Sequence, residues 1–191
     1  MAQHGAFYTD NLSTPLRVAQ AFLAGKTFTS SFGTVPALLQ APAPLLAKQW
    51  KKQFDADKIL APAIALFSSG VFGYIAWRDT AWTKTSILYA SSASLLLSLV
   101  PYTFILSEPI NQKLEEKAQN LASASLTDAS AEAGVSKEET VHSLVDKWGT
   151  INFGRIIISA ISAGLATWAA VDRSEVVPAV TRITTGANRL G

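Results

Sequence analysis

Two stretches of this chain, 59–77 and 85–107, contain no Asp, Glu, Lys or Arg. A helix needs about 20 mostly apolar residues to cross the hydrocarbon core of a bilayer, and both stretches reach that length. Inside lipid every backbone N–H and C=O must be satisfied within the chain, so such a segment folds as a helix. A third stretch, Trp148–Val171, qualifies with one charge, Arg155. A fourth, Leu16–Leu39, is weaker, because Lys26 interrupts it and Ser30, Ser31 and Thr34 dilute it. The pattern predicts an all-α fold: an integral membrane four-helix up-down bundle with spans near 16–36, 59–77, 85–107 and 149–171.

Composition agrees. Charged residues make up 16% of the 191 residues, against roughly 25% in an average soluble domain. The net charge is only +2 and no basic stripe is interleaved with aromatics, which removes nucleic acid as a partner. Cysteine is absent, so disulfides and thiolate metal sites are excluded. The first residues show no basic segment followed by an apolar core, and no cleavable signal is expected. The expected partner is the lipid bilayer. The chain reads as multi-pass, in an internal membrane such as the endoplasmic reticulum rather than the plasma membrane. No feature of the sequence sets an oligomeric state.

Between the spans the chain divides readily. Residues 1–13 read as a flexible tail, 14–172 as the transmembrane domain and 173–191 as a C-terminal tail. Thr14 is placed to cap the first helix, with Pro15 at its first position. Pro42 and Pro44 break the chain after span one. Leu45, Leu46, Trp50 and Phe54 then fall at helical spacing beside Lys48, Lys51 and Lys52. This predicts a short amphipathic helix, either lying on the membrane surface or serving as a connector with buried anchors. Residues 119–135 are Ala/Ser-rich and polar, and read as a mobile loop. Order returns with Ser136 and Glu139, spaced as a capping box. The helix they open carries Val141, Leu144, Val145 and Trp148 and runs on into the last span as an extension outside the bilayer.

In an up-down bundle the connections 36–58 and 107–147 emerge on one face. That face gathers Pro36, Trp50, Glu108, Asn111, Trp148, Asn152 and Arg155. Trp148, Asn152 and Arg155 stand at i, i+4 and i+7, on one helical stripe. Tyr102 and Thr103 reach the same depth, with Pro101 and Pro109 bracketing the segment. A charge in a span costs about 2.5–3.5 kcal/mol on insertion scales and usually faces protein. Arg155 therefore pairs with Glu108, or with Asn152 binds ligand oxygens between the helices, and both can hold together because a paired arginine still has donors to spare. Lys26, near mid-span, is weighed as structural. Metal chemistry has little support: the two histidines are His4, in the tail, and His142, and no metal-binding or phosphate-binding motif is present.

Four blocks, "SFGTVPALL", "QWKKQFDADKILAPAIA", "VPYTFILSEPINQKLEEKA" and "LVDKWGTINFGRIIISAISAGLA", resemble in order and spacing those of the fungal anthrone-oxygenase-like family, over roughly residues 20–170. The most specific elements are Pro109 to Asn111 and Trp148, Asn152 and Arg155. The resemblance implies a small four-helix membrane protein of aromatic polyketide secondary metabolism. Such a protein oxidises an anthrone to an anthraquinone with molecular oxygen as co-substrate and without a flavin, haem or metal cofactor. It further implies catalytic roles for Arg155 and Asn152 as donors to an enolate oxygen, with Glu108 or His142 as base. Trp148 and Tyr102 would stack on the rings, and Asn111, Thr103 and Trp50 would complete the substrate site. Lys26 and the "DAD" of 55–57 depart from the family pattern. A non-catalytic scaffold or small-molecule carrier of the same fold is the second reading.

Overall fold

The computed structural model describes the backbone of residues 2–187 and the side chains of residues 13–172. Its helices are α1 (Ala2–Thr29), α2 (Val35–Leu38), α3 (Ala43–Asp57), α4 (Leu60–Trp77), α5 (Lys84–Tyr102), α6 (Glu108–Asn120) and α7 (Val141–Ala187). Single π-helical turns, Ser30–Thr34 and Thr103–Ser107, join α1 to α2 and α5 to α6. No strand occurs among the described residues. Apart from Ser13, the side chains of the expected tails lie outside the described range.

Helices α1, α4, α5 and α7 pack in a ring, each on the next, with α7 returning to α1. Direction reverses at every step, which is the expected up-down bundle. Small polar residues close the helix contacts. The Ser69 hydroxyl donates to the Ala93 carbonyl at 2.9 Å. The Ser92 and Ser162 hydroxyls lie 2.8 Å apart, and each also reaches the other's carbonyl. Hydroxyls satisfied this way let helix backbones approach closely where no water is available.

Three helical stretches are long and apolar enough to cross a membrane: Ala43–Trp77, Lys84–Asn120 and Val141–Asp172. Their outer faces carry exposed Phe67, Leu97, Ile105, Ile161 and Trp168. A soluble monomer rarely exposes so much contiguous apolar surface. Helix α1 completes the ring, but its described part does not reach that length and apolarity, because Arg17, Gln20 and Lys26 dilute it. Nor does α1 start at Thr14: Pro15 lies inside it. A proline costs its own N–H bond and crowds the i−4 carbonyl, yet the helix continues through Pro15, with Ser13 and Gln20 to either side fully buried. Thr14 accepts a hydrogen bond from Arg17 at 2.6 Å.

Beyond the ring, α3, α6 and the first turns of α7 extend as a cap. Pro42, in an extended conformation, starts α3. The apolar side of α3 turns to protein rather than to a membrane surface: Leu46, Ala47 and Trp50 bury against Leu114, Val141, Leu144, Val145 and Trp148. A second core fills the ring with Phe72, Ile75, Tyr89, Leu96, Leu99, Ala166 and Ala169. The start of α7 differs from the capping box expected at Ser136. Residues 137–139 form a 3-10 turn, and the extended Thr140 caps instead, its hydroxyl accepting from the Ser143 N–H at 3.3 Å. Glu132 accepts from the Val141 N–H at 3.0 Å and holds Lys117 at 3.1 Å. Inside the connection after α6, Glu132 thus ties the turns of 121–136 to both flanking helices.

Candidate active site

The two cores leave a gap between them. A cavity of about 410 Å³ occupies it, walled by α1, α3, α4, α5, α6 and α7. Its volume falls within the ~300–1,000 Å³ of small-molecule sites. Trp148 of the cap core forms one wall, and Ala65, Leu96 and Leu99 of the ring core form others.

Both π turns reach this cavity, through Ser30 and Thr103. Each is followed two residues later by a proline, Pro36 or Pro109. A proline has no N–H for the i−4 carbonyl and crowds it, which disfavours the regular α turn just before it. Such single-turn π insertions are frequent at functional sites because they re-aim side chains.

Much of the polar lining comes from residues the sequence singled out. Glu108 and Asn111 lie at the start of α6, Thr103 in the π turn, and Trp148, Asn152 and Arg155 on α7. Ser159 continues that α7 stripe one turn further. Arg155 donates from Nη1 to Asn152 Oδ1 at 3.3 Å. No ion pair joins Arg155 to Glu108 among the described residues. The structural ion pair weighed above is therefore absent, and most of the five guanidinium N–H groups stay available. Glu108 instead accepts from Gln112 Nε2 at 3.1 Å. Asn111 is 6% exposed and its buried side-chain oxygen has no partner. A buried amide oxygen without a donor is costly, and this one belongs to a residue of the cavity wall.

Three expected site residues stand elsewhere. His142 is thirteen positions before Arg155, about 20 Å along a helix. Its Nε2 lies 3.0 Å from the Ala41 carbonyl, inside the cap. The Tyr102 hydroxyl donates to the Ile151 carbonyl at 2.7 Å and lies against Gly154, where a Cβ would stand only 2.2 Å from it. Tyr102 therefore locks α5 to α7. Trp50 is 1% exposed and lies one layer behind the wall, edge-on to Trp148 at 6.2 Å and stacked on Phe54 at 5.0 Å.

The sequence reading left out Leu23, Phe54, Asp57, Pro62, Leu66, Phe104 and Ser159, which all line the cavity. Ser159 follows from extending the α7 stripe. The apolar ones carry no distinguishing signal, since an apolar residue facing a cavity looks like one facing a core. Lys26 lines the cavity too, paired with Asp57. Among the described residues no three of His, Asp and Glu stand together to hold a metal ion.

Comparison with known proteins gives these residues a context. The family profile described as anthrone oxygenase matches residues 50–165. An anthrone oxygenase of Aspergillus fumigatus is 29% identical over 136 residues, covering 66% of this chain and 74% of its own. A noranthrone monooxygenase of Aspergillus flavus is 28% identical over 140 residues, or 72% of this chain and 62% of its own. An anthrone oxygenase of Paecilomyces divaricatus is 26% identical over 156 residues, covering 78% and 89%. No solved structure matches the chain at comparable significance. The profile spans more than half of the sequence, including every polar residue that α5, α6 and α7 bring to the cavity, and the chain belongs to the anthrone oxygenase family.

Proposed function

We propose that this protein is a membrane-embedded oxygenase that converts an anthrone to an anthraquinone with molecular oxygen and no further cofactor. The observation that carries this reading is one cavity in which Arg155, without a carboxylate partner among the described residues, shares a largely apolar wall with Glu108, Asn152 and Asn111.

The chemistry asks for little more. An anthrone's central CH₂ is acidified by its carbonyl and two aryl rings. Glu108 takes one of its protons, a general-base step of the kind that contributes about 10²–10⁴-fold. The anion's charge moves to the carbonyl oxygen, where Arg155 and Asn152 donate as an oxyanion-type pair. The electron-rich carbon reduces oxygen and bonds to it, and the peroxide oxygen takes back the proton held by Glu108, giving a hydroperoxide and restoring the base. Loss of water from the remaining C–H and the O–OH leaves the new C=O. One oxygen atom enters the quinone, the other leaves as water, and the carbon gives up four electrons. Trp148 lines the cavity as an aromatic wall for a flat tricycle. An endoplasmic reticulum membrane is the proposed location, to be read by fractionation of the host.

The test follows quinone formation and oxygen uptake with emodin anthrone and detergent-purified protein. Equimolar uptake and product are expected. Arg155→Ala should lower kcat/KM at least 10²-fold, about the loss of one oxyanion donor. Glu108→Gln should lower kcat with little change in KM. Wild-type rates in both variants refute the assignment, and a wild type that binds the anthrone without quinone formation favours a carrier.

A further inference from the structure

Outside the cavity a second, open hollow of about 650 Å³ lies between α1 and α3, beside Phe22, Gly25, Gln53 and Ala56. Three residues, Lys26, Ser30 and Asp57, line both spaces. They are the partition between the hollow and the cavity. Two side-chain contacts cross it: Lys26 is paired with the Asp57 carboxylate, and Gln53 Nε2 donates to Ser30 Oγ at 2.9 Å.

This partition is built to yield. Lys26 and Asp57 are 36% and 27% exposed, and ion pairs with that much solvent access are held weakly. A Cβ at Gly25 would meet nothing within 4 Å, so α1 faces open space there. Ser30 begins the π turn, where α1 departs from regular helix. Phe22 is 62% exposed beside the hollow, which gives its rim an apolar surface.

We infer that the hollow between α1 and α3 is the vestibule through which a flat aromatic phenol reaches the cavity, with the Lys26–Asp57 pair as the latch. A phenolate or phenol oxygen offers Lys26 an acceptor in place of Asp57, so the ligand itself supplies the interaction lost on opening. The inference takes its ligand class from the oxygenase reading, but it concerns access and is measurable without turnover.

The chain has no cysteine, so Gly25→Cys with Ala56→Cys leaves only those two thiols. Both positions line the hollow and not the cavity. A reversible bis-methanethiosulfonate reagent then staples α1 to α3. Binding of emodin, a hydroxylated anthraquinone, is followed by stopped-flow quenching of tryptophan fluorescence. Stapling is expected to slow association and dissociation together, at least tenfold, with Kd within twofold of the unstapled protein. Reductant should restore both rates. A gate changes rates and not the equilibrium, so unchanged rates, or a changed Kd with unchanged association, overturn the vestibule. Asp57→Asn in the unstapled protein should raise the association rate about threefold, and an unchanged rate overturns the latch. A protein that binds with gated kinetics but forms no quinone refutes the oxygenase reading and leaves this one standing.

Discussion

Gly154 illustrates how a single residue positions the site. Its missing Cβ is where the Tyr102 hydroxyl lies on its way to the Ile151 carbonyl. Asn152 and Arg155 flank this contact, so the fit of α5 on α7 sets where the donor pair points. Gly154→Ala should destabilise the protein by about 1–3 kcal/mol through overpacking. Adding Tyr102→Phe, which removes the nearest atom, should recover part of the loss in a thermal unfolding assay. Arg155 is the other decisive residue. Arg155→Lys keeps the charge but replaces a planar fork of donors by one ammonium, so it should retain more activity than Arg155→Ala and less than wild type. Equal rates for lysine and arginine would mean that charge alone matters there.

At the scale of elements, the turn between α4 and α5 gives a pH prediction. Asp79 accepts from the hydroxyls of Ser86 and Thr83 and from the N–H groups of Thr83 and Ala81. These bonds, with that of Ser86 foremost, favour the ionised form and lower its pKa to about 2. A carboxyl depressed on folding adds stability above its ordinary pKa of about 3.9 and loses it as pH falls toward the folded value. The Tm difference between wild type and Asp79→Asn should therefore be constant from pH 7 to 5 and shrink between about pH 4 and pH 2. The start of α7 gives another test. Thr140→Ala should cost about 1 kcal/mol, as for other cap removals. Glu132→Ala should speed hydrogen exchange at the Val141 amide, while Ser136→Ala leaves it unchanged.

For the whole molecule, the informative feature is the pair of cores with a cavity between them. Trp50 belongs to the cap core and props Trp148 from behind. Trp50→Ala should cost about 3–5 kcal/mol, and the loss should fall on the cap. Limited proteolysis should cut residues 121–136 faster, while the α4 and α5 segments in the ring keep their protection and KM rises as Trp148 loses its support. Equal loss of protection in cap and ring would show that the two cores unfold as one.

Much of this architecture was legible in the chain. Uncharged runs of membrane-spanning length dictate helices wherever lipid is the solvent, and their number and spacing dictate an up-down order. Order in turn brings the two long connections to one face, which is why sequence order alone groups Glu108, Asn111, Trp148, Asn152 and Arg155. Periodicity along one helix is a local property, and Arg155 follows Asn152 and Trp148 by geometry alone. Pairing across helices is not local. That Arg155 leaves Glu108 for Asn152, that Tyr102 serves packing, that His142 sits a cap's length away and that Lys26 meets Asp57 all depend on how far helices slide and turn against one another. Those offsets come from side chains meeting across the bundle, Tyr102 on Gly154 and Ser92 on Ser162 among them. The sequence by itself determined the helices, their order and the face where polar groups collect. The cavity's walls and the partners of its charges were decided by tertiary packing, because a cavity is where facing surfaces fail to close, and no single segment encodes that.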